Sequence, residues 1–208
     1  MAVRKNNRTK EQGAETKRQL FECADKLFLQ DDYKNVSVEA ITRMAGVTKG
    51  TFYVHFESKD ALYVELFSSY AQRLDEGYQA FLDALPQELS SSERLLAFAE
   101  GIIDIMITKV GYERIQTVYR LQLADTVNTE VINGYGRKLY LLFQNVLEIG
   151  IRQGEFKASP SGATLARQFV MAIRGLTYEW CIQYPNFDFK QETLLHIRLL
   201  LEGIRTKA

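Results

Sequence analysis

The side chains in this sequence best placed to do chemistry fall between Thr48 and Lys59, and the chemistry they suit is recognition rather than bond breaking. Thr48, Thr51 and Tyr53 carry hydroxyls that can donate to phosphate oxygens or base edges, Lys49 supplies a cation, and His55 offers a ring that can donate. Gly50 lies among them at a cost. Glycine inside a helix is ~1 kcal/mol less favourable than alanine, so a short helix avoids it unless something must come close to its backbone. Lys59 falls in the first turn of the following helix, where a cation and free backbone N–H groups can converge on a phosphate. Phe52 and Phe56 are expected to point the other way, against Leu27, Phe28 and Ile41.

The elements that must hold this segment read as helices throughout. Leu20, Phe21, Ala24, Leu27 and Phe28 form the apolar stripe of an amphipathic helix expected from about 14 to 30. Ser37 is the N-cap of a short second helix, with Glu39 in its first turn and Gly46 at its end. Thr48 caps a third, and Ser58 opens a fourth that meets no breaker before Pro86. Two short helices joined by the tight Ala45-Gly46-Val47 turn have the dimensions of a helix-turn-helix, whose last helix fits a major groove. Further along, Ser90 with Glu93 reads as a capping box, and Gly111 separates that helix from the next. A segment from 128 to 153 reads as one helix ending at Gly154. Ser159-Pro160 marks another start, and Asp188 with Gln191 a last cap. The expectation is an all-α fold of about nine helices, with domains at 1–60 and 61–208.

Catalysis finds little support. His55 and His196 lie far apart, with no glutamate at metal-ligand spacing beside them. No glycine-rich phosphate loop, nucleophile elbow or paired-carboxylate cleft is evident. The chain is read as no enzyme, with no catalytic residue, cofactor or metal. Cys23 and Cys181 make neither a disulfide framework nor a zinc site and point to a reducing compartment. A redox switch thiol would sit exposed beside positive charge, whereas Cys181 follows Trp180 in an apolar helix, where burial is expected. The N-terminus carries no apolar signal region, and runs such as Gly101–Ile107 fall far short of the ~20 residues a membrane span needs. A soluble, cytoplasmic protein with no membrane partner is expected. Net charge is zero, yet the first eighteen residues hold Arg4, Lys5, Arg8, Lys10, Lys17 and Arg18 against Glu11 and Glu15. A basic arm on a neutral chain fits nucleic-acid contacts confined to one end.

The run from Val36 to Phe67, VSVEAITRMAGVTKGTFYVHFESKDALYVELF, resembles the DNA-binding signature of the tetracycline-repressor (TetR) family. The likeness lies in the Ala-Gly-Val-Thr-Lys-Gly-Thr turn and helix, the pair Phe52-Tyr53, and His55-Phe56 followed by Ser58-Lys59. It covers about the first third of the chain. Two positions depart from the family pattern: Asp32 stands where many relatives carry a left-handed glycine, and Val54 where many carry a larger polar or aromatic residue.

The resemblance implies a bacterial, homodimeric transcriptional regulator, most simply a repressor, that binds palindromic double-stranded operator DNA through Thr48, Lys49, Gly50, Thr51, Tyr53, His55 and Lys59. It implies release by a small hydrophobic effector held in a C-terminal cavity. Candidate lining residues are Phe98, Ile102, Met106, Tyr119, Leu123, Phe143, Phe169 and Tyr178, with Glu100 and Asp104 available to a cationic ligand. It further implies a dimer face on the last two helices, for which Ala166, Val170, Ile173, Thr177, Leu200 and Ile204 are the candidates. A thiol-based redox-responsive regulator and a ligand-independent activator are the alternatives.

Overall fold

The computed structural model describes residues 2–125, 128–134 and 137–206, with the backbone alone described for 2–10, 131 and 133. The basic side chains Arg4, Lys5, Arg8 and Lys10 therefore lie outside the described ones. The elements in chain order are α1 (Ala2–Gln30), α2 (Val38–Ala45), α3 (Lys49–His55), α4 (Lys59–Ala84), α5 (Ser91–Ile105), α6 (Tyr112–Ala124), α7 (Glu130–Asn133), α8 (Lys138–Arg152), α9 (Gly162–Gln183) and α10 (Phe189–Ile204). A π-helical turn, Met106–Val110, extends α5. Among the described residues the β pairing is a single isolated bridge, Phe156 to Arg205. The fold is all-α.

Local chemistry accounts for most boundaries. The Ser37 side chain accepts from the Ala40 N–H, Thr48 from Thr51, Ser58 from Ala61 and Asp188 from Gln191. Ser90 and Glu93 close a reciprocal capping box on α5. Gly46 ends α2 at φ 68, a left-handed conformation that a side chain would strain, and its N–H returns to the Thr42 and Arg43 carbonyls. Arg94 donates to the Leu82 and Pro86 carbonyls and so satisfies the C-terminal end of α4. The Glu155 carboxylate does the converse for α5, accepting from the Ser91 and Ser92 N–H groups at 2.8 and 2.9 Å.

Four boundaries differ from the sequence reading. Helix α1 begins at Ala2 rather than near 14, because the proline-free arm holds helix-compatible residues and Gly13 weakens the helix without breaking it. The segment read as one helix from 128 to 153 is two, α7 and α8, parted at Gly134. The cap of α9 is Ser161, whose hydroxyl accepts from the Thr164 N–H, rather than Ser159. Asp32 is not left-handed: among the described non-glycine residues only Asp125 has positive φ. The turn after α1 closes instead through the Asp32 carbonyl, which accepts from the Asn35 and Val36 N–H groups.

The chain divides into two compact units. The first comprises residues 1–69 with 120–129, and the second 70–119 with 130–208, so α4 and α6 each contribute to both. Leu20, Ala24, Val36, Ile41, Phe52, Phe56 and Leu62 form the core of the first. The larger core of the second is built from α4, α5, α8, α9 and α10 around Phe98, Phe143, Phe169 and Ile197. A neighbouring cluster there joins Ile103, Ile115, Trp180, Cys181 and Phe189. Among the described residues no helix is long and apolar enough to cross a membrane.

Candidate nucleic-acid interface

Helix α3 is anchored on one side and free on the other. Phe52 and Phe56 are buried, with Phe56 edge-on to Phe21 at 5.1 Å. Thr48, Lys49, Gly50, Tyr53 and Val54 are exposed, and Thr51 is half-exposed. The seven residues are too few to hold a helix in water, so the aromatic anchors and the Thr48 cap must do so. The Thr48 and Thr51 hydroxyls lie 2.9 Å apart and can turn toward a new partner with little disturbance. Lys49 pairs with Glu39 on α2 at 2.5 Å, which lowers the Glu39 carboxyl and raises the Lys49 ammonium from their ordinary values. Exposed pairs of this kind are worth about 0–1 kcal/mol, so a phosphate can displace Glu39 readily.

Two expected contacts change. His55 is half-buried, and its ring lies toward Gly13 of α1, so it flanks the exposed face rather than forming part of it. Lys59 does not face outward. Its ammonium donates to the carbonyls of Tyr33 and Val36 at 2.8 and 2.7 Å and lies 4.1 Å from the centre of the Tyr33 ring. Burial lowers its pKa from the ordinary lysine value. The physical reason is that the turn between α1 and α2 leaves carbonyls needing donors, and the lysine stem is long enough to reach them. Sequence spacing could not show this, because Lys59 and its acceptors are more than twenty residues apart.

The same turn gathers groups that the sequence reading missed. Tyr33 stacks on Phe28, meets Tyr63 edge-on, and bonds through its hydroxyl to the Asp60 carboxylate. Arg120, near the end of α6, lies 5.0 Å from the centre of that ring. Burial and the Asp60 bond push the Tyr33 phenol well above its ordinary value. Two cations thus lie within reach of the Tyr33 ring, an attraction expected of an electron-rich aromatic.

In the second unit, Phe98, Phe143 and Phe169 form a continuous column, with centroid steps of 4.8 and 6.1 Å, and Tyr78 extends it through Phe98 at 5.7 Å. Ile102 belongs to the same core and Met106 packs on its edge. Tyr119 lies elsewhere, donating its hydroxyl to the Arg174 carbonyl and packing on the Trp180 cluster. Leu123 is 73% exposed and falls in the first unit, so it is no lining residue of the second. Tyr178, in the second unit, is exposed and edge-on to Tyr119 rather than part of the column. Glu100 and Asp104 are already paired with Lys190. An unforeseen ion pair lies beside the column: Asp75, with only 7% of its side chain exposed, receives two bonds from Arg137, which also donates to the Ile132 carbonyl. A lone acid in the apolar register of α4 was the one signal for it.

The expected dimer residues are core residues. Ala166, Val170, Ile173 and Thr177 are buried within the single chain, and Leu200 and Ile204 pack against its core. They face inward because α9 packs against α8 and α10 and turns this stripe toward them. The apolar side chains left outward on these helices are Met171, Tyr178 and Ile182 on α9 and Leu195 and Leu199 on α10, at helical spacing. Cys181 is buried, which pushes its thiol up to about 11. Cys23 is half-buried, and desolvation outweighs the nearby Lys26, raising its thiol as well.

A supported short helix with one polar face outward, preceded by a capped helix and a left-handed glycine turn, defines a helix-turn-helix DNA-binding protein. Residues 17–66 match the family model for bacterial regulatory proteins, tetR family. Relatives spanning nearly the whole chain include the HTH-type transcriptional regulator AcrR of Shigella flexneri, 25% identical over 94% of this chain and 92% of its own. The fatty acid metabolism regulator protein of Bacillus subtilis is 22% identical over 91% and 95%. Among solved structures, a TetR-family transcriptional regulator from Pectobacterium atrosepticum superposes with a TM-score of 0.75 at 20% identity, covering 95% of this chain and 97% of that one. FadR from Bacillus subtilis in complex with stearoyl-CoA gives 0.66 at 19% identity, covering 90% and 99%. Its N-terminal segment is thus that of a tetR-family regulatory protein, and over nearly its whole length the chain is similar to HTH-type transcriptional regulators.

Proposed function

We propose that this regulator is a repressor that binds a palindromic operator as a homodimer and is released by a small hydrophobic effector. The first unit holds the operator through Thr48, Lys49, Gly50, Thr51 and Tyr53, with His55 at the edge. The second holds the effector and the dimer contact. The observation that carries the reading is the buried aromatic column Tyr78–Phe98–Phe143–Phe169 with the Asp75–Arg137 pair, an apolar core with few polar groups, the composition that small-molecule sites share. The stearoyl-CoA bound to the FadR neighbour supports an apolar effector. A two-fold operator needs two readers about 34–36 Å apart, and the outward stripe of Met171, Tyr178, Ile182, Leu195 and Leu199 offers a second copy its contact. Acting on DNA, the protein works in the cytoplasm.

Release follows from covalent continuity. Tyr78 and Lys59 lie on the same helix, α4, and Tyr119 and Arg120 are consecutive in α6. An effector that fits one arrangement of the column better than another biases both helices by its differential affinity and no more. The test begins with selection of a duplex from random DNA by the full-length protein, which is then placed upstream of a reporter. Repression in cells, and loss of anisotropy on titration with stearoyl-CoA or a planar aromatic cation, are expected. Raised reporter output would instead establish an activator, and retention against both probes would remove the hydrophobic effector.

A further inference from the structure

Val54 keeps 80% of its surface exposed, more than any other large apolar side chain among the described residues. It stands one helical turn after Gly50, so the two share a ridge of α3 opposite the buried Phe52 and Phe56. A Cβ at Gly50 would meet only the Thr48 Oγ1, at 3.6 Å, so nothing within the protein requires the missing side chain. Bare backbone at 50 and an isopropyl group at 54 make a shallow apolar stripe beside the ridge that carries Lys49 and Tyr53. Valine offers neither donor nor acceptor. In the major groove the one apolar group any base pair presents is the C5-methyl of thymine.

We propose that Val54 reads a thymine methyl group in each operator half-site and thereby selects T·A over C·G at that position. The assignment rests on α3 being the reading helix. Hydroxyl and ammonium groups along the same face hold phosphates and base edges, while the methyl contact discriminates by burial alone.

The test uses the full-length protein and the duplex it selects from random DNA, with each thymine replaced singly by deoxyuridine, which deletes only the methyl. Affinity is read by fluorescence anisotropy at fixed salt. One thymine per half-site is expected whose replacement weakens binding about fourfold, and about fifteenfold when both half-sites are changed. Val54→Ala, exposed and therefore folded, is expected to bind the thymine and deoxyuridine duplexes equally. A methyl effect that persists undiminished in Val54→Ala, or no thymine whose methyl matters, overturns the proposal. Tyr53→Ala separates the two levels. If it loses the selected duplex while the methyl effect survives Val54→Ala, only the Val54 assignment falls. If it keeps full affinity, α3 is not the reader and the whole assignment falls with it.

Discussion

Replacing Lys59 with alanine distinguishes an internal tether from a phosphate contact. The ammonium makes two bonds to backbone carbonyls, at 2.8 and 2.7 Å, and lies against the Tyr33 ring. Hydrogen bonds to a charged group contribute ~1.5–3 kcal/mol each, but this lysine is only partly buried, so water recovers much of that on deletion; a net loss of about 2 kcal/mol is expected. In a chain of this size each kcal/mol moves the melting temperature by ~2–4 °C, which gives a fall of ~4–8 °C. Lys59→Met, which keeps the apolar stem, isolates the ammonium from the packing. The second readout is the slope of log affinity against log salt for any duplex. Each lost phosphate contact flattens it by ~0.9. A tether leaves that slope unchanged while stability falls. A slope flatter by about one unit per protomer, with an unchanged melting temperature, would refute the reasoning and return Lys59 to the DNA.

Asp75→Ala strands the Arg137 cation beside an apolar core, a defect that costs ~3–5 kcal/mol, so melting should fall by ~10 °C, and Asp75→Leu combined with Arg137→Met should recover most of it. A change below ~2 °C by circular dichroism would show that the pair is not dry. Cys181, with its thiol near 11, should alkylate at pH 8 about a hundredfold more slowly than an unburied thiol. Because this acid's pKa is raised on folding, the unfolded chain loses the proton first. Stability is flat below the ordinary thiol value and declines as pH rises from there toward about 11, a trend that Cys181→Ala removes. Free-thiol reaction rates would favour the redox alternative.

The sequence by itself determined most of the helices and the reading segment, because those depend on neighbours. Caps at Ser37, Thr48, Ser58 and Ser90, the break at Gly46, and the inward Phe52 and Phe56 all act within one or two turns, a range that residue order specifies directly. The exposed face of α3 follows from the same period. What only the tertiary structure decided was which groups meet across long separations. Lys59 has the residue type and position of a phosphate ligand, yet carbonyls more than twenty residues away claim it. Asp75 and Arg137 are 62 residues apart and pair because the fold brings α4 to the start of α8. The apolar faces of α9 could not be ranked from its pattern, since burial against one's own core and burial against a second copy select the same residue types. Only the packing shows that Ala166, Val170, Ile173 and Thr177 are spent inside and that Met171, Tyr178 and Ile182 remain outside.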